Sequence, residues 1–212
     1  MLELLAPAGN LDAVIAAVQN GADAVYMGFG DGFNARRSAD NFTQESFAKA
    51  VRYCHIRGCK VYVTLNTLVG DREMDAAAAL AQQASDAGAD AILVQDLGLA
   101  RVLRAALPDI PLHASTQMSI HNLAGVEAAA EMGITRAVLA RELSLEQIRF
   151  ISQHASIETE VFVHGALCFC YSGQCYMSAL IGRRSGNRGA CAQPCRMQYS
   201  MGGRMDEYPL SL

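Results

Sequence analysis

The chain has 212 residues, of which 51% are hydrophobic, 18% charged and 7% aromatic. With a mean hydropathy of +0.14, this composition excludes a disordered chain and describes an aliphatic core fit for one large domain or two small ones. The net charge of −4 is uneven: residues 1–164 carry 12 Lys and Arg against 19 Asp and Glu, whereas residues 165–205 carry five arginines and no acid. An acidic body with a basic end points to an anionic partner at that end.

The first strand is expected over residues 2–5. Pro7-Ala8-Gly9-Asn10 follows it, where a nucleotide-binding α/β fold would place a glycine-rich phosphate loop. A helix over 11–20 presents Leu11, Val14, Ile15 and Val18 on one face. A repeated unit then sets in. Gly21-Ala22-Asp23 leads into a strand at 24–28, Gly58-Cys59-Lys60 into 60–65, Gly88-Ala89-Asp90 into 91–95 and Gly133-Ile134-Thr135 into 136–140. Each reads as a helix closed by a glycine and followed by a short buried strand. Further strands are expected at 111–115 and 159–164. Ser144 with Gln147 forms a capping box for a helix at 145–151. Such alternation suits a doubly wound sheet or a (β/α)8 barrel. The seven near-regular units favour an incomplete TIM-type barrel over residues 1–164, followed by a Cys/Arg-rich segment over 165–212. No apolar run of roughly 18 residues is free of charges or turns, which excludes a membrane-spanning helix. Met1-Leu2-Glu3 has no export signature, so a cytoplasmic chain is expected.

A barrel carries its chemistry at the C-terminal ends of its strands. The residues expected there are polar: Asn66, Gln95, Asp96, Ser115, Thr116, Gln117, Arg141, Glu142 and His164. Any one of them could be a simple cap, Asp96 most clearly, but five polar strand ends on one rim suggest a site. Glu160 and His164, four apart on an expected strand, would share a face. His55, His121 and His154 read as surface residues, and His113 as either a core or an inward-facing barrel histidine.

Five of the seven cysteines fall close together: Cys168, Cys170, Cys175, Cys191 and Cys195. The glycines among them argue against regular structure, so the segment needs something to organise it, and thiolates around a metal would do so. The spacing fits zinc ribbons poorly and iron–sulfur sites better, leaving iron–sulfur, zinc and free or redox thiols open. Cys54 and Cys59 read as small buried hydrophobes. No Ser–His–Asp order, nucleophile elbow or His-Glu-x-x-His motif is present.

Residues Glu160-Val161-Phe162-Val163-His164-Gly165-Ala166-Leu167-Cys168 and Tyr171-Ser172-Gly173-Gln174-Cys175, with Ser178, resemble the signature of peptidase family U32. The opening Glu3–Gly9, the run Gly21–Tyr26 and the stretch Arg184–Arg196 are similar to that family as well, most of all to members that hydroxylate RNA. The resemblance implies a [4Fe-4S] cluster, zinc being the alternative. Its ligands would be Cys168, Cys175, Cys191 and Cys195, with Cys170 at a position the pattern leaves free. Prephenate is implied as a small-molecule partner of the RNA branch. The family name implies collagenase-like proteolysis.

Three functions follow. The first is oxygen-independent hydroxylation of rRNA or tRNA bases. Here Asn66, Gln117, Arg141 and Glu142 would line the pocket, Arg141 and Glu142 as candidate catalytic residues, and Arg183, Arg184 and Arg188 would meet phosphates. The second is metal-dependent proteolysis through Glu160 and His164. The third is a non-catalytic truncated barrel. Family members continue past Tyr208–Leu212, and a missing eighth unit would leave an open sheet edge suited to a homo-oligomer.

Overall fold

The computed structural model describes residues 2–30, 32–35, 41–165, 168–201 and 204–206. Two motif positions, 166–167, and the terminal residues 208–212 lie outside them. The helices form where the sequence supplies a cap. Asn10 opens α1 (Leu11–Gln19), Thr43 opens α2 (Gln44–His55), Asp96 opens α4 (Leu97–Ala106), Asn122 opens α5 (Leu123–Glu131) and Ser144 opens α6 (Leu145–His154). In each, the cap side chain accepts a first-turn backbone N–H. The capping box of α6 is complete: Ser144 Oγ accepts from Gln147 N at 3.2 Å and Gln147 Oε1 from Ser144 N at 2.8 Å. The helix α3 (Met74–Asp86) follows a short 3-10 turn at Asp71–Glu73.

Between the helices run β1 (Leu5–Pro7), β2 (Ala24–Met27), β3 (Lys60–Leu65), β4 (Ala91–Val94), β5 (Leu112–Ala114), β6 (Arg136–Val138) and β7 (Glu158–Glu160). All pair in parallel in sequence order. At the turn into β4, Gly88 takes φ +95°, the left-handed conformation that closes α3 and that a side chain would resist. The chain is thus the expected incomplete TIM-type barrel, with β1 and β7 as the sheet edges among the described residues. Most strand boundaries fall within two residues of expectation, and two differ by more. β1 begins at Leu5 rather than Leu2, because Leu2 and Leu4 are exposed, and the Leu4 N–H goes to the Asp23 carboxylate at 2.7 Å. β7 stops at Glu160, and Val161, Phe162 and Val163 are exposed instead of continuing the strand.

Strand alternation divides the side chains into two layers. Val25, Met27, Val61, Val63, Leu65, Ile92, Val94, Leu112, Ala114, Ala137 and Leu139 face the helices and form the main core with Val14, Phe47, Leu99 and Leu103. The opposite parity faces the barrel interior: Ala24, Tyr62, Ala91 and Leu93 pack there, and His113, Arg136, Glu158 and Glu160 share that face. The interior is therefore charged at its N-terminal end. The Arg136 guanidinium donates to Glu3 at 2.6 Å and to Glu158 at 2.6 and 2.8 Å, and lies 3.5 Å from Glu160. The Tyr62 hydroxyl and Lys60 also donate to Glu3, at 2.8 and 3.1 Å. One arginine on β6 thus reaches the residues before β1, which shows how far the sheet curls. Burial raises the Glu3 carboxyl, but its Arg136, Tyr62 and Lys60 partners bring it down to about 2. Burial pushes Glu160 up, and Arg136 offsets this only in part. His113, stacked edge-on against Tyr62 at 4.9 Å, is held neutral by burial and by nearby Arg136, its pKa lowered to about 3.

Candidate functional site

At the opposite, C-terminal end the strands hand over to polar residues. Asn66 follows β3 and is held on both sides: its Nδ2 donates to Ser115 Oγ at 3.1 Å and its Oδ1 accepts from Ala35 N at 3.0 Å. Asp96 is the cap that the sequence suggested, accepting from Leu99 N at 2.8 Å, and it also accepts from Val69 N at 3.2 Å. Gln95 is buried beside Gln117, its Nε2 donating to the Gln117 carbonyl at 3.4 Å. The Oε1 atoms of Gln95 and Gln117 and the hydroxyl of Thr67 are buried without a hydrogen-bond partner. A buried polar atom left unpaired costs about 1–3 kcal/mol, so these three give the mouth a demand for polar groups; deeper in the barrel, His113 Nδ1 and Glu160 Oε2 likewise lack a hydrogen-bond partner among the described residues.

The cysteine segment is strapped across this mouth at two points. The first is Ser172, which is fully buried although Tyr171 and Gln174 beside it are exposed. Its N–H and hydroxyl donate to Glu142 at 2.9 and 2.8 Å, and its hydroxyl accepts from Arg141 N at 3.2 Å and Nε at 3.3 Å. Its carbonyl accepts from Ser119 Oγ at 2.5 Å, and Gln174 Nε2 donates to the same hydroxyl at 2.8 Å. Gly173 takes φ +74° with its Cα pressed on the barrel: a Cβ there would stand 2.2 Å from the Gln117 carbonyl oxygen. The second point is Arg188. It donates to both oxygens of Glu73 at 3.0 and 2.7 Å and to the Leu68 carbonyl at 3.3 Å. The Arg188 guanidinium and the Gly70 N–H hold Glu73 down at about 2. Between the points, α7 (Met177–Gly182) is tied by buried Ser178, whose Oγ accepts from Ala192 N at 2.9 Å. A short hairpin of β8 (Tyr199–Met201) and β9 (Arg204–Asp206), unforeseen from the sequence, follows.

Glu142 carries most of the first contact. Its Oε1 lies 2.6 Å from His121 Nε2, and His121 Nδ1 lies 2.6 Å from the Ser119 carbonyl. Both ring nitrogens thus stand within hydrogen-bond distance of an oxygen. Burial raises the Glu142 carboxyl, but the Ser172 N–H, the Ser172 hydroxyl and His121 hold it at about 2. An open cavity of about 540 Å³ lies beside this group, lined by His121, Glu142, Leu143, Gln147 and residues 168–171. His121, read from the sequence as a surface residue, is a half-buried part of the site.

Of the segment's thiols, Cys168 and Cys191 are exposed and Cys170, Cys175 and Cys195 half-buried. Burial and the neighbouring Cys175 and Cys168 thiols push the Cys170 thiol up, so these three sulfurs are neighbours. The backbone N–H of Gln193 donates to Cys191 Sγ at 3.4 Å. No group of three or more His, Cys, Asp or Glu among the described residues is arranged to hold a metal ion. The fit to a metal therefore rests on the chemistry of the donors, which are all soft thiols on one rim. Cys54 and Cys59 are the buried hydrophobes expected; burial and the proximity of Cys59 push the Cys54 thiol up to about 12.

The candidate set is brought together only in part. Asn66, Gln117, Arg141 and Glu142 share the mouth with the cysteine segment. Glu160 and His164 do not meet on a strand face, because β7 ends at Glu160. Glu160 turns into the barrel toward Arg136, and His164 lies beyond the strand in an exposed bend. Arg183 and Arg184 are exposed, as a phosphate contact requires. Arg188 is committed to Glu73, which is what sequence reasoning missed along with Ser119, His121 and Ser172. Only the Ser172-Gly173 dipeptide between two cysteines hinted at a tight contact.

The model of peptidase family U32 matches residues 9–209. Over 200 residues the chain is 45% identical to the 23S rRNA 5-hydroxycytidine C2501 synthase of Escherichia coli, covering 94% of this chain and 30% of that protein. It is 41% identical over 199 residues to the tRNA hydroxylation protein P1 of Bacillus subtilis, covering 94% of this chain and 47% of that one. The chain thus spans less than half the length of these two curated relatives. Among solved structures, the U32 peptidase Mk0906 superposes with a TM-score of 0.64 at 16% identity, covering 76% of this chain and 68% of its own. That likeness speaks for the fold alone.

Proposed function

The chain belongs to peptidase family U32, and from that premise we propose that it is the iron–sulfur-binding barrel of a protein that hydroxylates bases of rRNA or tRNA without using oxygen. The observation that carries this reading is the 45% identity to an rRNA hydroxycytidine synthase across nearly the whole chain, cysteine segment included. The geometry supports it, since the segment is strapped over the C-terminal mouth where a barrel does its chemistry.

In this reading Cys168, Cys175, Cys191 and Cys195 hold a [4Fe-4S] cluster, which supplies electron transfer when bound. The contact of Cys170 with Cys175 makes Cys170 the competitor for one of those positions. Zinc on the same thiols is the alternative. The chain's own residues do the rest. Gln117, whose Oε1 has no hydrogen-bond partner among the described residues, suits an unpaired base, and Asn66, held by Ser115 and Ala35, lines the same mouth. Arg141, one nitrogen of which is spent on Ser172, is the cation that a carboxylate-bearing co-substrate such as prephenate would meet. Arg183 and Arg184 meet phosphates. An RNA partner in turn implies the cytoplasm.

The test is genetic and chemical. RNA from cells lacking this protein is digested and its nucleosides are measured by mass spectrometry, after growth without oxygen. The reading expects one hydroxylated pyrimidine to disappear, to return with the parent gene, and not to return with Cys175→Ser. Unchanged nucleosides would overturn it. The proteolytic reading loses its sequence basis, because Glu160 faces Arg136 inside the barrel and shares no face with His164.

A further inference from the structure

Ser172 is an unusual residue for its surroundings. The chain from Cys168 to Tyr176 is exposed or half-buried at every other position, yet Ser172 has no accessible surface. It sits between Cys170 and Cys175, so whatever fixes Ser172 fixes where those thiols emerge. What fixes it is largely one carboxylate. Glu142 uses Oε1 for the Ser172 N–H at 2.9 Å and Oε2 for its hydroxyl at 2.8 Å, while His121 Nε2 stands 2.6 Å from Oε1. Hydrogen bonds to an ionised acceptor are about twice as strong as neutral ones. A carboxylate with both oxygens spent on the backbone and hydroxyl of one serine, and a third donor holding it in place, is not free to shuttle protons to a substrate.

We propose that Glu142 is a positioning residue: with His121 behind it, it latches Ser172 to the barrel rim and so presents Cys168 and Cys175 to the metal. The proposal deepens the iron–sulfur reading and replaces the catalytic role that sequence reasoning gave to Glu142. Arg141 contributes from the same strand end, through its backbone N–H and Nε on the Ser172 hydroxyl. Gly173 allows the close approach, because a side chain there would strike the Gln117 carbonyl.

The latch can be tested without metal. Reduced, metal-free protein is alkylated with iodoacetamide, and each cysteine is followed by mass spectrometry. In Glu142→Ala, alkylation at Cys170 and Cys175 should accelerate about tenfold or more, the scale expected for loss of charge-assisted hydrogen bonds. Buried Cys54 and Cys59 should stay protected, which shows that the barrel is intact. Glu142→Gln retains an acceptor for the Ser172 N–H and should restore part of the protection, and Ser172→Ala, which keeps the N–H bond and loses only the hydroxyl bonds, should likewise fall between the parent and Glu142→Ala. Reconstituted with iron and sulfide, Glu142→Ala should also give an altered electron paramagnetic resonance signal in the reduced state. Equal alkylation of Cys170 and Cys175 in parent and Glu142→Ala would overturn the latch, as would acceleration at Cys54 and Cys59 to the same degree. If the parent takes up no iron but the alkylation pattern shifts as described, the latch stands and the iron–sulfur reading falls.

Discussion

Removing the Arg136 side chain would test the physical account of the barrel floor. Arg136 is 10% exposed and holds three carboxylates; its partners Glu3 and Glu160 are 22% and 19% exposed, whereas Glu158 is 68% exposed. In Arg136→Ala, Glu158 turns to water and costs little. Glu3 keeps only the half-exposed Lys60 at 3.1 Å, and Glu160 is left in a confined space without a counter-charge. Breaking a buried pair from one side costs about 3–5 kcal/mol. With one of three carboxylates free to rehydrate, the lower figure applies, about 3 kcal/mol. For a chain of this size that lowers Tm by about 6–12 °C. The pH dependence follows with a definite sign. The pKa of Glu3 is depressed from 4.5 to about 2, so its contribution is complete above pH 4.5 and is lost as pH falls toward 2. The share of that contribution that comes from Arg136 exists only in the parent, while Tyr62 and Lys60 keep theirs in the variant. Burial raises Glu160, and without Arg136 it takes up a proton as pH falls, relieving the variant. Both effects make the gap largest at neutral pH and smaller in acid. Urea denaturation followed by circular dichroism at pH 7 and pH 3.5 measures this directly. A deficit under about 0.5 kcal/mol at pH 7, well below the range for a broken buried pair, would refute the reasoning. So would a deficit that grows on acidification.

Four further outcomes are expected. Anaerobically purified Cys168→Ser, Cys175→Ser, Cys191→Ser and Cys195→Ser should each lose most of their iron, while Cys170→Ser keeps it; iron assay decides, and full iron in Cys191→Ser would remove half of the proposed ligand set. Gly173→Ala should unseat the cysteine segment, because its new methyl would meet the Gln117 carbonyl at 2.2 Å; limited proteolysis after residue 165 should become faster while the barrel fragment survives. Arg183→Glu with Arg184→Glu should weaken RNA binding and flatten its salt dependence by about one or two units of slope. Arg188→Glu should instead loosen the strap by repelling Glu73, and Glu73→Lys in the same chain should restore it; failure of that rescue in a proteolysis assay would count against the contact.

Local rules made most of the barrel legible. The glycine that closes a helix before a strand recurs because each unit has the same task, and the caps Asn10, Asp96, Asn122 and Ser144 act over three residues. The errors at β1 and β7 share one cause. Leu2, Leu4 and Val161–Val163 are apolar enough for strands, but pairing decides, and these edge residues are exposed. The rim was foreseen as a set of polar strand ends, but what those residues bind was not. Glu142 meets Ser172 across 30 positions of sequence, Gln174 meets Ser119 across 55 and Arg188 meets Glu73 across 115. No periodicity encodes contacts of that range. Arg188 therefore looked like a ligand for phosphate when its partner was within the chain.

The most direct measurement is an iron and acid-labile sulfide count, with an absorption spectrum, on protein purified and handled without oxygen. The account predicts about four irons and four sulfides per chain and a broad visible absorption that bleaches on reduction. It also predicts that Cys175→Ser removes all three while the barrel remains folded. One zinc per chain without sulfide, or no metal on protein whose five segment cysteines are all reduced, would contradict it.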